Sequence, residues 1–443
     1  MLLGGVAVNI NNISVSDDIT LTAVRTDKFK TGVISLQIFF PVSAQNVAFS
    51  TVLCGVLKRG SGKYPKISDV YKRLDHLYAA SFDIRTAFNA NEISISISSE
   101  FLNNTYAPCK TDILDGVIDM AAQTLMCPMT DGEAFCAATV SREIETVRSA
   151  LLSEKNNTQV YAVIRAKELL NRSSPEYPTV KQLLSVLDCI NEKNLYEFYT
   201  KMISYAPLDV FYVGESEADT VSAKLKKHFG SFRPCNRLKA VLPNPEAPLP
   251  FEEACETMPV SQSKLVIGFH SGVNITTGNY HAALVFNEIF GASPISKLFM
   301  NVREKMGLCY YCASAYNTYS GSLLVSSGID ASKREIATEA ILHQLNDIKD
   351  GKISDAEFES AKKSLINAYR QSYDNPFDIS NFYSGRLRFG IGESIDGCID
   401  SISKVKLDDV VRIAESVVHD TTFFIEGIGT DNDGEEEYDG YDE

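Results

Sequence analysis

Two kinds of hydrophobic period alternate along the chain, and their order repeats. Ile93–Ser99, ISISISS, switches between apolar and polar at each residue, the period of a strand. Ile295–Lys305 places Ile295, Leu298, Phe299 and Val302 three and four apart, which is one buried stripe of a helix. In the first half the pattern predicts strand Gly32–Phe40, helices near Val47–Lys58 and Ser68–Ala80, then strands Phe82–Ala87 and Ile93–Ser99. In the second half it predicts strand Lys264–Phe269, helices near Tyr280–Phe290 and Ile295–Lys305, then strands Leu308–Ala315 and Leu323–Ile329. Gly307 is placed to end the second of those helices in the left-handed conformation. Asn317–Ser322 has the composition of a turn.

The following units repeat as well. Ile113–Met126 precedes Thr130-Asp-Gly-Glu133 and a helix over Ala134–Glu154, while Lys333–Lys349 precedes Ser354-Asp-Ala-Glu357 and a helix over Phe358–Ser372. Thr or Ser at the N-cap with Glu at the third helical position satisfies two orphan amides reciprocally. Each half then closes on a helix, Asn191–Ile203 or Leu407–Val418, and a strand, Asp209–Gly214 or Thr422–Gly427. A repeat of roughly 220 residues is too long for a solenoid and suits two duplicated domains. Between the halves, residues 233–260 hold six of the fifteen prolines, which neither a helix interior nor a central strand accepts. The expected organisation is α+β: a domain over 1–232, a Pro-rich linker over 233–260, a second domain over 261–430 and an acidic disordered tail over 431–443.

Composition narrows the function classes. A length of 443 residues exceeds one ordinary core, and 44% hydrophobic with 22% charged residues is globular. The formal charge of −15 falls to −7 once the eight acidic side chains of the tail are set aside. That body has no basic stripe for nucleic acid or an anionic membrane. The opening MLLGGVAVNI lacks a basic region and a long apolar core, and no stretch of eighteen apolar residues follows, so a cytoplasmic protein is expected. The ten cysteines read as small buried hydrophobes in a reducing compartment. Cys309 and Cys312 form a C-x-x-C on a strand, for which inert packing is the expected role.

Leu298-Phe-Met-Asn-Val-Arg303-Glu-Lys-Met-Gly-Leu-Cys-Tyr310 resembles the second-domain pattern of the pitrilysin/insulinase-type metallopeptidases, or inverzincins: a helix ending in Arg-Glu-Lys, then Gly-Leu-x-Tyr. The resemblance implies two duplicated domains of the metalloenzyme LuxS-like kind, each a mostly antiparallel sheet covered by helices, in chains that pair around a peptide. It also implies H-x-x-E-H on a first-domain helix. There two histidines four apart bind one zinc, the glutamate takes a proton from the metal-bound water, and a later helix adds an acidic ligand. Here the matching helix is Val47–Lys58, followed by Arg59-Gly60-Ser61. Counting back puts Thr51 and Gly55 at the histidine positions and Cys54 at the glutamate position. The six histidines include no pair three or four apart. The motif is degenerate, so no metal or other cofactor is expected in this chain, and zinc is expected only in a partner. Glu143, Glu145 and Glu154 lie in the helix that supplies the acidic ligand, yet their charge alternation also fits a solvated face. Cys54 with the distant His76 sketches a cysteine-peptidase dyad, but Val52, Leu53, Val56 and Leu57 around Cys54 favour an inert thiol.

For Arg303 and Tyr310 the resemblance implies peptide binding, a guanidinium fork on a carbonyl or carboxylate and a phenol on a developing oxyanion. The residues alone leave a second reading open: an arginine favoured by the helix dipole and a tyrosine filling a sheet face. The expected function is that of a catalytically inactive peptidase-like chain. It pairs with an H-x-x-E-H relative or a second copy and binds a peptide or unfolded segment through Arg303 and Tyr310. The chain also resembles zinc-less bacterial members of the YfmF type, which are associated with a zinc-carrying relative and with maturation of a modification on elongation factor P. The alternative is a scaffold or peptide-binding subunit with no part in proteolysis, like the family's core subunits in a respiratory complex. Neither nucleic acid nor membrane is an expected partner.

Overall fold

The computed structural model describes residues 9–89, 91–174, 177–232 and 249–429. The acidic tail and residues 233–248 of the Pro-rich stretch lie outside the described residues. Strands β1 (Asn9–Ser16), β2 (Ile19–Arg25), β3 (Thr31–Pro41), β4 (Asp83–Asn89), β5 (Glu92–Leu102) and β6 (Leu208–Gly214) form one sheet, ordered β1-β2-β6-β3-β5-β4. Strands β7 (Glu252–Met258), β8 (Ser263–His270), β9 (Cys309–Asn317), β10 (Ser322–Ile329) and β11 (Val418–Gly427) form another, ordered β7-β11-β8-β10-β9. The parallel pairs are β2 with β6 and β7 with β11; the other pairings are antiparallel. With β1 set aside, the two sheets agree strand for strand in order and direction. The fold is the duplicated α+β architecture that the repeat predicts.

Two compact units result, and neither is continuous in sequence. One comprises Met1–Leu152, Ser174–Leu242 and Ala368–Ile395; the other comprises Ser153–Ser173, Pro243–Asn367 and Asp396–Glu443. In the first unit, the helices Ala44–Lys58 and Ile113–Met126 join the core that Ile34, Leu36 and Ile38 of β3 build on one sheet face. Ile379 and Tyr383, from the helix Pro376–Leu387, form a separate cluster with Val24 and Val213. Arg388 just beyond that helix donates to Glu92 at 2.9 and 2.7 Å, a pair with both side chains buried. The second unit takes the helix Thr158–Leu170 from the first half of the sequence. Tyr161, Ala162, Ala166 and Leu170 pack on Val266, Leu324, Phe423 and Ile425. Each such fully buried aliphatic side chain contributes about 1.5–3 kcal/mol. Tyr161 and Arg165 also donate to Glu256 of β7 at 2.8 and 2.9 Å, tying helix to sheet edge.

Several expectations need correction. Glu252–Met258, assigned to the linker, is the edge strand β7: it is the proline-free run between Pro250 and Pro259, and its backbone pairs with Thr421–Gly427. Strands β1 and β2 precede the first element that the hydrophobic pattern predicts. The capping box at Ser354 is present, with Ser354 N–H donating to Glu357 at 2.8 Å and Glu357 N–H to Ser354 Oγ at 3.2 Å. Its counterpart at Thr130 is not, because the helix begins at Ala137. Phe135 is drawn into the core against Tyr196 and Tyr199, and Gly132 turns the chain at φ +62° before it. Ile295 is half exposed rather than buried, since the helical segment starts at Leu298 and has the wider π spacing through Lys305.

Candidate functional site

The degenerate motif sits on the helix Ala44–Lys58, which is started by Ser43 Oγ accepting from Asn46 N–H at 3.1 Å. Thr51 spends its hydroxyl on the Val47 carbonyl one turn back, at 2.7 Å. Cys54 is 5% exposed, and burial pushes its thiol up to about 12. A thiol so held is neither a ready metal ligand nor a nucleophile, which removes the dyad with His76. His76 is itself exposed, with Nδ1 at 2.5 Å from the Lys72 carbonyl.

Gly55 is the informative position. A Cβ built there would collide with Glu143 Oε2, so the carboxylate fills the space that any larger residue needs. Glu143 comes from the helix Ala137–Ser153, and its side chain is 7% exposed. This corrects its reading as part of a solvated face. Its Oε1 accepts from Arg59 Nε at 2.8 Å and from Arg59 Nη2 at 2.5 Å. Arg59 caps the C-terminus of the Ala44–Lys58 helix, where a cation is also favoured by the helix dipole. Of the other acidic candidates, Glu145 is exposed and pairs with Arg148 at 3.3 Å, and Glu154 falls in the second unit. The residues present do not fit zinc: one offers no donor atom, one is bonded to backbone, one is a high-pKa thiol, and the carboxylate is held by an arginine. The sequence signals for that ion pair were the glycine at a ligand position and the arginine four residues after it.

In the second unit, Gly307 adopts φ +61°, as its position predicts. Its N–H donates to the Arg303 carbonyl at 3.1 Å and Leu308 N–H to Val302 at 3.2 Å, closing the helical segment. Arg303 lies on the last turn with its guanidinium 4.5 Å from the Phe299 ring centroid and 3.6 Å from Glu304. Tyr310 is 60% exposed at the start of β9. Its hydroxyl donates to Asp330 Oδ1 at 3.2 Å, and Asp330 also pairs with Lys333 at 2.9 Å. The Lys333 ammonium holds the Asp330 carboxyl below its ordinary range. Among the described residues no hydrogen bond joins Arg303, whose side chain is half exposed, to Tyr310. β9 ends its sheet, so its outer edge is open to an added strand among the described residues.

Comparison with known proteins adds the following. Residues 190–365 match the peptidase M16 inactive domain. The chain is 28% identical over 411 residues to the probable inactive metalloprotease YmfF of Bacillus subtilis, covering 92% of this chain and 96% of that one. The inactive bacterial type expected under the name YfmF is thus matched under the name YmfF. A conserved protein from Enterococcus faecalis superposes with a TM-score of 0.87 at 27% identity, over 95% of this chain and 99% of that one. A peptidase M16 inactive domain protein from Pseudomonas fluorescens shares the fold, with a TM-score of 0.79 at 14% identity over 95% and 99% of the two chains.

Proposed function

We propose that this chain, similar to the peptidase M16 inactive domain and to an inactive metalloprotease of that kind, serves as the zinc-less half of a two-chain peptidase. On this reading it binds no zinc itself and works in the cytoplasm. A relative carrying H-x-x-E-H supplies the metal, and this chain supplies Arg303 and Tyr310 to hold a peptide or unfolded segment. The observation that carries the reading is the contrast between two places. Glu143 and Arg59 fill the position a metal ligand would need, whereas Tyr310 is exposed and the Arg303 side chain half exposed on the segment that leads into an edge strand. An extended peptide along β9 would gain backbone hydrogen bonds from that edge. A second copy of this chain is the other partner the family resemblance allows, though it brings no zinc motif. By the same resemblance the proposal extends to maturation of the modification on elongation factor P.

The test is reconstitution with an H-x-x-E-H relative. The purified chain alone should hold no stoichiometric zinc and cleave no peptide, whereas the complex should cleave. Arg303→Ala and Tyr310→Phe should each slow the complex by about tenfold or more, the loss of one charged or oxyanion hydrogen bond. Undiminished cleavage makes the pair structural, in keeping with the contacts Arg303 makes to Phe299 and Tyr310 to Asp330. In that case the chain is a scaffold or peptide-binding subunit. About one zinc per isolated chain overturns the zinc-less assignment. An unchanged mass of elongation factor P in cells lacking the chain removes that part of the proposal.

A further inference from the structure

On a regular strand two cysteines three residues apart point to opposite faces, about 10 Å from each other. Cys309 and Cys312 do not. Ile329 of β10 pairs with Cys309 and Gly328 with Tyr311, so Tyr310 is left over in the ladder, the mark of a β-bulge. The bulge puts Cys309 opposite Ile329 and Cys312 opposite Ser327, two steps apart on one face. Both thiols are free and buried, Cys309 at 9% exposure and Cys312 at 3%. Two strand steps span about 6.8 Å, close to the upper end of the Cα separations a disulfide bridges. Ser327, opposite Cys312 in the ladder and fully buried, turns its hydroxyl to both thiols.

The thiols are also unequal. Hydrogen bonding from Cys312 pulls the Cys309 thiol down, and the positive charges of Arg303 and Lys333 help against the cost of burial. The same contact, with burial, pushes Cys312 well above the ordinary thiol range. Cys309, the thiol nearer Arg303 and Lys333, is therefore the readier of the two to lose its proton.

We propose that Cys309 and Cys312 form an oxidation site that a hydroperoxide converts to an intrachain disulfide. The Cys309 thiolate attacks a peroxide oxygen, the O–O bond breaks, and Cys309 becomes a sulfenic acid as hydroxide leaves and takes up a proton as water. Cys312 Sγ then attacks that sulfur, the S–O bond breaks, and the hydroxyl departs with the Cys312 proton as a second water. Two thiols and one hydrogen peroxide thus give one disulfide and two waters. The proposal stands whether or not Arg303 and Tyr310, which adjoin this site, hold a peptide.

The test treats the reduced full-length chain with one equivalent of hydrogen peroxide, alkylates remaining thiols, and maps them by mass spectrometry. The peptide carrying Cys309 and Cys312 should lose two hydrogens and take up no alkylating reagent, while buried Cys54 stays alkylatable after denaturation. The reaction should run about tenfold or more faster in the folded than in the urea-unfolded chain, since the bulge and the lowered Cys309 pKa exist only in the fold. In Cys312→Ser, dimedone should trap a sulfenic acid at Cys309; in Cys309→Ser, Cys312 should stay reduced. Circular dichroism establishes that both variants fold. Full alkylation of both cysteines, equal rates in folded and unfolded chains, or no adduct at Cys309 in Cys312→Ser would each overturn the proposal.

Discussion

Replacing Gly55 with alanine measures how firmly Glu143 occupies the vacated ligand position. In an unobstructed helix the change stabilises by about 1 kcal/mol, because alanine loses less backbone entropy on folding. Here the new methyl meets Glu143 Oε2, with Cδ and Cγ close behind it. The carboxylate has to withdraw, and its fork with Arg59 goes with it. Such a charge-assisted contact is worth about 1.5–3 kcal/mol. The lower end applies, because the Arg59 side chain is 41% exposed and partly screened by water. The balance makes Gly55→Ala destabilising by roughly 0.5 kcal/mol. In a Glu143→Ala background the obstacle is absent, and the same substitution should stabilise by about 1 kcal/mol. The two substitutions are therefore coupled by about 1.5 kcal/mol. Urea unfolding of the four chains, followed by circular dichroism and by tyrosine emission in this tryptophan-free protein, reads that coupling. Stabilisation by Gly55→Ala in both backgrounds would refute the account, since it means that Glu143 yields at no cost.

Two further outcomes follow from local chemistry. Ser354→Ala should lower stability by about 1 kcal/mol through loss of its cap, whereas Thr130→Ala should stay within about 0.5 kcal/mol; equal effects in thermal unfolding would contradict the asymmetry between the halves. His419 has its ring 4.8 Å from that of Phe251 and 5.3 Å from that of Phe269, and burial lowers its pKa. The unfolded chain therefore binds this proton more readily than the folded one. The associated stability is complete above about pH 6.5 and is lost as pH falls through that value toward the depressed folded pKa. His419→Asn should flatten the slope of melting temperature between about pH 7 and 5, and an unchanged slope would assign it to other groups.

The duplication was legible because it is written in period and order, which survive without any detail of packing. β3, β5 and β6 recur as β8, β10 and β11 with bounds within a few residues of the hydrophobic pattern. Gly307 was legible because only a left-handed cap explains a glycine between a charged helix end and an aromatic strand. What escaped depends on contacts distant in sequence. Glu143 carries the same charge as Glu145, and only the proximity of Gly55 and Arg59 makes one buried and the other exposed. The pairing of Cys309 with Cys312 depends on a single extra residue in the ladder, and no local composition announces a bulge at Tyr310. Helices Thr158–Leu170 and Pro376–Leu387 serve the unit on the other side of the linker, which no linear reading of two domains predicts.

On the proposed reading, the missing zinc motif is more than two missing histidines. If it were only that, Thr51→His with Cys54→Glu and Gly55→His would rebuild a site. The structure argues otherwise, because the carboxylate nearest position 55 is already committed to Arg59, and the helix has closed around a glycine there. A chain with those three substitutions has to break a buried charged contact before Glu143 can turn to a metal. Adding Arg59→Ala removes that competitor and leaves the carboxylate in need of a cation. The fourth substitution should therefore strengthen zinc binding by about 10- to 100-fold, the equivalent of one charge-assisted hydrogen bond. Competition with a chromophoric chelator measures both affinities. If the two chains bind zinc equally, Arg59 is a bystander, and the proposed lack of a zinc site rests on Thr51, Cys54 and Gly55 alone.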